Sequence, residues 1–193
     1  VLLLPIHFPG NPETYYLQFD TGSPYTVFYS DPIKNIEEIS INDEKAKTAF
    51  FVGKTEISSE QFKIFKSNKS GEKDSIQIIG TIGADILENR KTLINFKSNQ
   101  VVFNLNQIPK ESKNQLFDFK FRKRKIIIQG ILKGEERKFL YDSGTSAYEL
   151  LTYKEEWQSL KSQNSKINIE KSQSWNNVLT TYTTDCNENI QFK

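Results

Sequence analysis

Two short segments of this chain carry the same reactive pattern, Phe19-Asp20-Thr21-Gly22-Ser23 and Tyr141-Asp142-Ser143-Gly144-Thr145. Each offers a carboxylate flanked by a hydroxyl, a glycine and a second hydroxyl. Hydrolysis without a metal or a covalent intermediate needs a base to activate water and an acid to protonate the leaving group, and two carboxyls facing one bond supply both. At about 3 Å apart such carboxyls cannot both ionise cheaply, so the pair shares a proton and titrates as a unit. Gly22 and Gly144 allow a tight backbone path that turns amide N–H groups toward the carboxylates. The hydroxyls of Ser23 and Thr145 are placed to donate to the outer carboxylate oxygens, which favours the charged form.

The elements that must position these loops repeat as well. Tyr15 to Phe19 and Arg137 to Tyr141 read as strands leading into the Asp loops, and Val27-Phe28-Tyr29 and Glu149-Leu150-Leu151 are the apolar runs that follow. Upstream, Leu2 to Ile6 turns at Pro9-Gly10, and Ile126 to Ile131 turns at Gly134. Strand, Asp loop, strand is therefore the repeated unit, and the likeness continues into the strand and turn upstream of it.

This doubled motif resembles the pepsin-like and retropepsin-like aspartic peptidases, in which two related lobes each give one Asp-Thr/Ser-Gly-Thr/Ser loop to a shared site. The segment Ile78-Ile79-Gly80-Thr81-Ile82-Gly83-Ala84-Asp85-Ile86-Leu87 is similar to the family's apolar-apolar-Gly segment, which passes beneath the Asp loop into a short helix. Gly83 is the preferred register and Gly80 the fallback. Thr92 to Phe96 and Gln100 to Phe103 would then form the hairpin closing the lobe. The resemblance implies a mostly β, bilobal pepsin-like acid protease fold with pseudo-twofold symmetry, residues 1–105 forming the first lobe, 106–115 the connection and 116–193 the front of a truncated second lobe. It implies an aspartic endopeptidase with Asp20 and Asp142 as the catalytic dyad. Thr21 and Ser143 would hydrogen-bond across the lobe interface, Gly22, Ser23, Gly144 and Thr145 would support the dyad, and Tyr25, Phe51 and Tyr148 would line the substrate cleft. No cofactor and no metal are implied. The partner is an extended polypeptide, and an acid-working hydrolase suits a secreted or periplasmic location.

Departures from the pattern frame the alternatives. No apolar-apolar-Gly segment follows Asp142, and the chain holds no methionine, so Val1 is not read as a translation start and a fragment is expected. The substrate-covering hairpin of the family carries a tyrosine, yet between Asp43 and Ser75 there is none, and Phe50-Phe51-Val52-Gly53-Lys54 is the hairpin-like candidate. A non-catalytic peptide-binding module on the same fold is one alternative. Another is a phosphate-binding domain, since Asp142 to Ser146 is also similar to the phosphate-contacting hairpin of actin-like and sugar kinases, although no adenosine-binding glycine cluster follows it.

Composition narrows the remaining classes. At 193 residues and 36% hydrophobic content the chain can bury one ordinary core or two small ones. A formal charge of +2 gives no global field for nucleic acid, and the basic run Arg122 to Lys125 reads as a solvated strand edge. No stretch reaches the roughly 20 apolar residues of a membrane helix. With one cysteine, Cys186, and one histidine, His7, neither an internal disulfide, a thiolate metal site nor a Ser-His-Asp mechanism is expected. Cys186 reads as a small apolar strand residue. Tyr153, Trp157 and Leu160 share a spacing that predicts a short helix with Thr152 as cap and Glu155 answering it. Lys161 to Lys171 reads as polar loop, and strand pattern resumes at Val178 to Thr183 and Ile190 to Phe192.

Overall fold

A computed structural model describes residues 2–66, 76–110, 118–145, 147–174 and 177–192. The expected start of a second unit at residue 116, and residues 111–115 of the 106–115 connection, lie outside the described residues. The fold is mostly β, with one α-helix among the described residues and a curled main sheet.

That sheet is built from β1 (Leu3–Ile6), β2 (Tyr15–Phe19), β3 (Val27–Tyr29), β4 (Ser40–Asn42), β5 (Lys45–Val52), β6 (Thr55–Phe65) and β7 (Ile78–Ile82). Its strand order is β1-β2-β7-β3-β6-β5-β4. The sequence dictates which face turns inward through period-two alternation. In β2, Tyr15, Leu17 and Phe19 are buried while Tyr16 and Gln18 are half-exposed, and in β5 Ala46, Thr48, Phe50 and Val52 face in. Aromatic rings fill the centre: Phe28 meets Phe50 and Phe62 at 6.0 and 5.4 Å in edge-to-face geometry, and Phe8 meets Tyr15 at 5.5 Å. Each such ring withdraws enough apolar surface to contribute about 1.5–3 kcal/mol.

The crossing of β7 sets the position of the first Asp loop. This strand runs parallel to β2 on one side and antiparallel to β3 on the other. Four of its five residues are buried, as a strand covered on both faces requires. It leads into a 3-10 turn at Ala84–Leu87, followed by the antiparallel hairpin of β8 (Leu93–Asn95) and β9 (Gln100–Val102). Both features follow the expected segment and closing hairpin.

The C-terminal part is thinner. Strands β10 (Phe119–Arg122), β11 (Lys125–Leu132) and β12 (Glu135–Tyr141) form a sheet in that order, and β15 (Gln191–Phe192) pairs with β11. The helix α1 (Lys154–Leu160) buries Leu160 and half-buries Trp157, whose ring lies 6.4 Å from that of Tyr182. Two details of the predicted helix change. Tyr153 is the N-cap residue and is 84% exposed, off the apolar face, while the Thr152 hydroxyl donates to the Glu156 carboxylate and caps no backbone N–H. A separate hairpin joins β13 (Asn168–Ser174) to β14 (Asn177–Thr183). The first four residues of β13, Asn168 to Lys171, fall in the segment that reads as polar loop, and pairing with β14 supplies backbone hydrogen bonds that their own side chains do not advertise. Cys186 is exposed rather than packed away, with its Sγ accepting the Glu188 N–H at 3.4 Å.

Candidate active site

The two Asp loops meet. Asp20 follows β2, and its backbone N–H donates to the Ile82 carbonyl at 2.9 Å, so β7 carries the loop directly. Asp142 follows β12, and Ser143–Thr145 form a 3-10 turn. Across the contact the hydrogen bonds are reciprocal. The Thr21 N–H donates to Ser143 Oγ at 3.0 Å, and the Ser143 N–H donates to Thr21 Oγ1 at 3.0 Å. Each hydroxyl then donates to the strand end of the opposite loop, Thr21 Oγ1 to the Tyr141 carbonyl at 2.9 Å and Ser143 Oγ to the Phe19 carbonyl at 2.9 Å. Both side chains are buried, so each of these groups needs a partner, and each finds it in the other loop.

Inside this clasp the carboxyls converge. Gly22 N–H donates to Asp20 Oδ1 at 2.9 Å and Ser23 N–H to the same oxygen at 3.2 Å, while Gly144 N–H donates to Asp142 Oδ1 at 2.8 Å. The glycines have a further reason, which the sequence did not reveal. A Cβ on Gly22 would lie 2.3 Å from Asp142 Oδ2, and one on Gly144 would lie 2.5 Å from the Asp20 carboxyl carbon. Each glycine therefore makes room for the carboxyl of the other loop. Burial, and then the charge of Asp142, hold the Asp20 carboxyl above its usual range; the Gly22 and Ser23 amides pull the other way, and a carboxyl–carboxyl hydrogen bond to Asp142 adds to the upward push.

Two expected hydroxyl roles differ from the geometry. Ser23 Oγ donates to the Tyr25 carbonyl at 2.7 Å and Thr145 Oγ1 to the Asp142 carbonyl at 3.2 Å, so both brace backbone and neither hydroxyl is bonded to a carboxylate oxygen. The bracing of the first loop extends further. Ala84 N–H donates to the Ser23 carbonyl at 2.8 Å, and a Cβ on Gly83 would strike the Tyr25 carbonyl at 2.4 Å. Gly83 is thus the register that underlies the loop, while Gly80 lies against the Val27 carbonyl one strand over. Asp85 completes the brace by accepting both the N–H and the hydroxyl of Thr26 at 2.8 Å.

The proposed cleft residues separate. Tyr148 is half-buried, bonds Thr181 Oγ1 through its hydroxyl at 2.8 Å, and lines an open apolar groove of about 1140 Å³ beside Asp142 with Ile128, Leu132, Phe139 and Leu150. Tyr25 lies at the exit of the first loop and is 42% exposed. Phe51 lies elsewhere. It pairs with His7, next to the Ile6 to Tyr15 pairing that begins β2, which is five residues or roughly 16 Å along the strand from Asp20. The Phe50 to Lys54 hairpin therefore sits at the opposite end of the sheet, anchored by buried Phe50. The β4–β5 turn at Asp43 and Glu44 is the one at the loop end, because Val27 pairs with Lys63 and Lys63 with Lys45.

Sequence reasoning missed two participants. Tyr29 on β3 bonds Thr81 Oγ1 at 2.8 Å, and burial, with a contribution from the nearby Asp20 charge, pushes its phenol up. Arg124 belongs to the basic run expected to be a solvated edge, yet at the turn after β10 it reaches Glu88 at 2.8 Å and stacks 4.8 Å from the Tyr25 ring centroid. No local pattern marks either, since both depend on contacts between distant segments. Among the described residues no group of His, Cys, Asp and Glu is arranged to hold a metal ion, and no helix is long and apolar enough to cross a membrane. The chain matches no protein-family model, and no curated protein matches it.

Proposed function

We propose that the chain carries an aspartic endopeptidase site, in a bilobal pepsin-like arrangement whose pseudo-twofold axis passes between Asp20 and Asp142. The observation that supports this best is the mutual fit of the loops, each glycine vacating the space taken by the opposite carboxyl and each hydroxyl bonding the opposite backbone. Such a pair retains a proton at a pH where an isolated carboxyl has lost it. In the reaction the ionised member takes a proton from water, the resulting hydroxide attacks the peptide carbonyl, and the protonated member gives its proton to the carbonyl oxygen. Collapse of the tetrahedral intermediate returns that proton to its carboxylate, and the proton taken from water passes to the departing amine nitrogen. An extended peptide bound mainly through its backbone is the substrate class this reading requires.

The test is proteolysis of an unfolded protein substrate between pH 3 and 7. Activity should peak on the acid side of neutrality, and Asp20→Asn and Asp142→Asn should each abolish it while the far-UV spectrum is kept. Wild-type turnover in either variant would sink the assignment. Tight binding of a hydroxyl-bearing peptide mimic without any turnover would favour the peptide-binding module, a reading supported by the absence of tyrosine from the β4–β5 turn.

A further inference from the structure

We propose that Lys63 and Tyr25 form a subsite for an acidic side chain of the bound peptide, with Arg124 as the residue that positions Tyr25. The proposal rests on the peptidase-type reading of the Asp loops and names a substrate preference for it.

The backbone of Tyr25 is fixed. Its carbonyl accepts the Ser23 hydroxyl at 2.7 Å and packs where Gly83 leaves no room for a side chain. Ser23 in turn donates its N–H to Asp20. Tyr25 therefore stands at a set distance along the chain from the dyad, while its ring remains partly exposed. Two cations meet that ring, Lys63 Nζ at 3.9 Å and Arg124 Cζ at 4.8 Å from the centroid. Arg124 comes from the turn between β10 and β11, so the ring lies where the N-terminal and C-terminal parts of the chain face each other, the boundary on which the dyad itself lies.

The two cations differ in how they are neutralised. Arg124 is paired with Glu88, which leaves it to hold the ring by stacking. Lys63 has no ion pair among the described residues. Its cross-strand neighbour is Lys45, whose ammonium donates to the neutral Gln61 amide at 3.0 Å. Of the acids near these strands, Glu44 is paired with Lys66 and Glu60 with Lys47, and Asp85 is engaged by Thr26 and faces Arg124, leaving Asp43 beside the two lysines. A surplus positive charge therefore sits on the exposed strand beside Tyr25. A ring face satisfies an ammonium only weakly in water, and an incoming carboxylate adds a charge-assisted hydrogen bond at Lys63 while its methylenes pack on the tyrosine.

The experiment uses a series of non-cleavable, hydroxyl-bearing peptide mimics in which each position in turn is Glu or Gln. Affinities are read by calorimetry at pH 6 and low salt, against wild type, Lys63→Gln and Lys45→Gln. The expected result is one position that prefers Glu by roughly fivefold, the range of a solvent-exposed ion pair. That preference should vanish in Lys63→Gln, survive in Lys45→Gln and shrink in 0.5 M salt. Binding of the whole series with no preference for Glu overturns the subsite and leaves the dyad reading standing, as does a preference that survives Lys63→Gln. Failure of every mimic to bind overturns the dyad reading and the subsite with it.

Discussion

The two Asp loops share one pattern of residue types and are held in different ways. Behind Asp20 stands a packed core whose buried residues all precede residue 105, with β7 threaded between β2 and β3 so that its last carbonyl accepts the Asp20 N–H. Behind Asp142, β12 is an edge strand among the described residues and faces an open apolar groove, and beyond residue 105 Leu132 and Leu160 are the only buried apolar residues among those described. The second loop is thus ordered chiefly from across the contact, by Thr21 and by the Phe19 carbonyl. Shared sequence in a loop specifies its local hydrogen bonds; the rigidity of that loop comes from what packs beneath it.

The sharpest way to break this comparison is through the glycines. Gly22→Ala and Gly144→Ala each press a methyl group into the carboxyl of the opposite loop, an obstruction made by the mobile end of a short side chain. Both variants should fold, and both should lose about 100-fold or more in activity, because the misplacement falls on the reacting groups themselves. Gly83→Ala should behave differently. Its methyl group meets the backbone carbonyl of Tyr25, so the loss should appear first in stability, read by urea unfolding. Full activity in Gly144→Ala would show that the carboxyls do not meet in solution.

Core truncation tests the unequal packing. Phe50 is fully buried and touches Phe8, Phe28 and Phe62, so Phe50→Ala should cost about 3–5 kcal/mol. Phe139 is half-exposed and meets Phe192 at 6.0 Å, so Phe139→Ala should cost roughly 1–2 kcal/mol. Amide exchange should follow the same order, with β2 and β7 protected far longer than β12 and β14. Equal costs in the two variants would mean that the C-terminal sheet is as well packed as the first.

Much of this arrangement was legible because its signals are local. The strand-like run Tyr15 to Phe19 gave β2, the repeat gave the two Asp loops, and the Ile82-Gly83 pair gave the segment under Asp20. Partnerships were not legible where they join residues far apart in sequence. The hydroxyl of Ser23 was free, on sequence grounds, to reach either the carboxylate or a carbonyl, and only the fold brings the Tyr25 carbonyl within reach. Phe51 looked like a cleft residue because Gly53 marks a hairpin, but strand register places that hairpin beside His7. Arg124 looked solvated because its partners, Glu88 and Tyr25, belong to the other half of the chain.

The smallest expected effect is on stability against pH, and it compares the two carboxyls directly. Folding raises the affinity of Asp20 for its proton above that of the unfolded chain, so the folded state holds a proton that the unfolded state has already released. The stability this group contributes is therefore fully present below the ordinary carboxyl value near 3.8 and is lost as pH rises through the elevated folded value. Asn at position 20 cannot titrate. The stability of Asp20→Asn relative to wild type should rise from pH 3 to pH 7, read as the difference between urea midpoints measured at each pH. Asp142→Asn removes the neighbouring charge but leaves Asp20 half-buried, and burial is the larger cause of the shift. The Asp20 carboxyl should then stay partly elevated, so the pH-dependence of Asp142→Asn should fall between that of wild type and that of Asp20→Asn. Parallel profiles for all three proteins would show that the two loops do not share a proton.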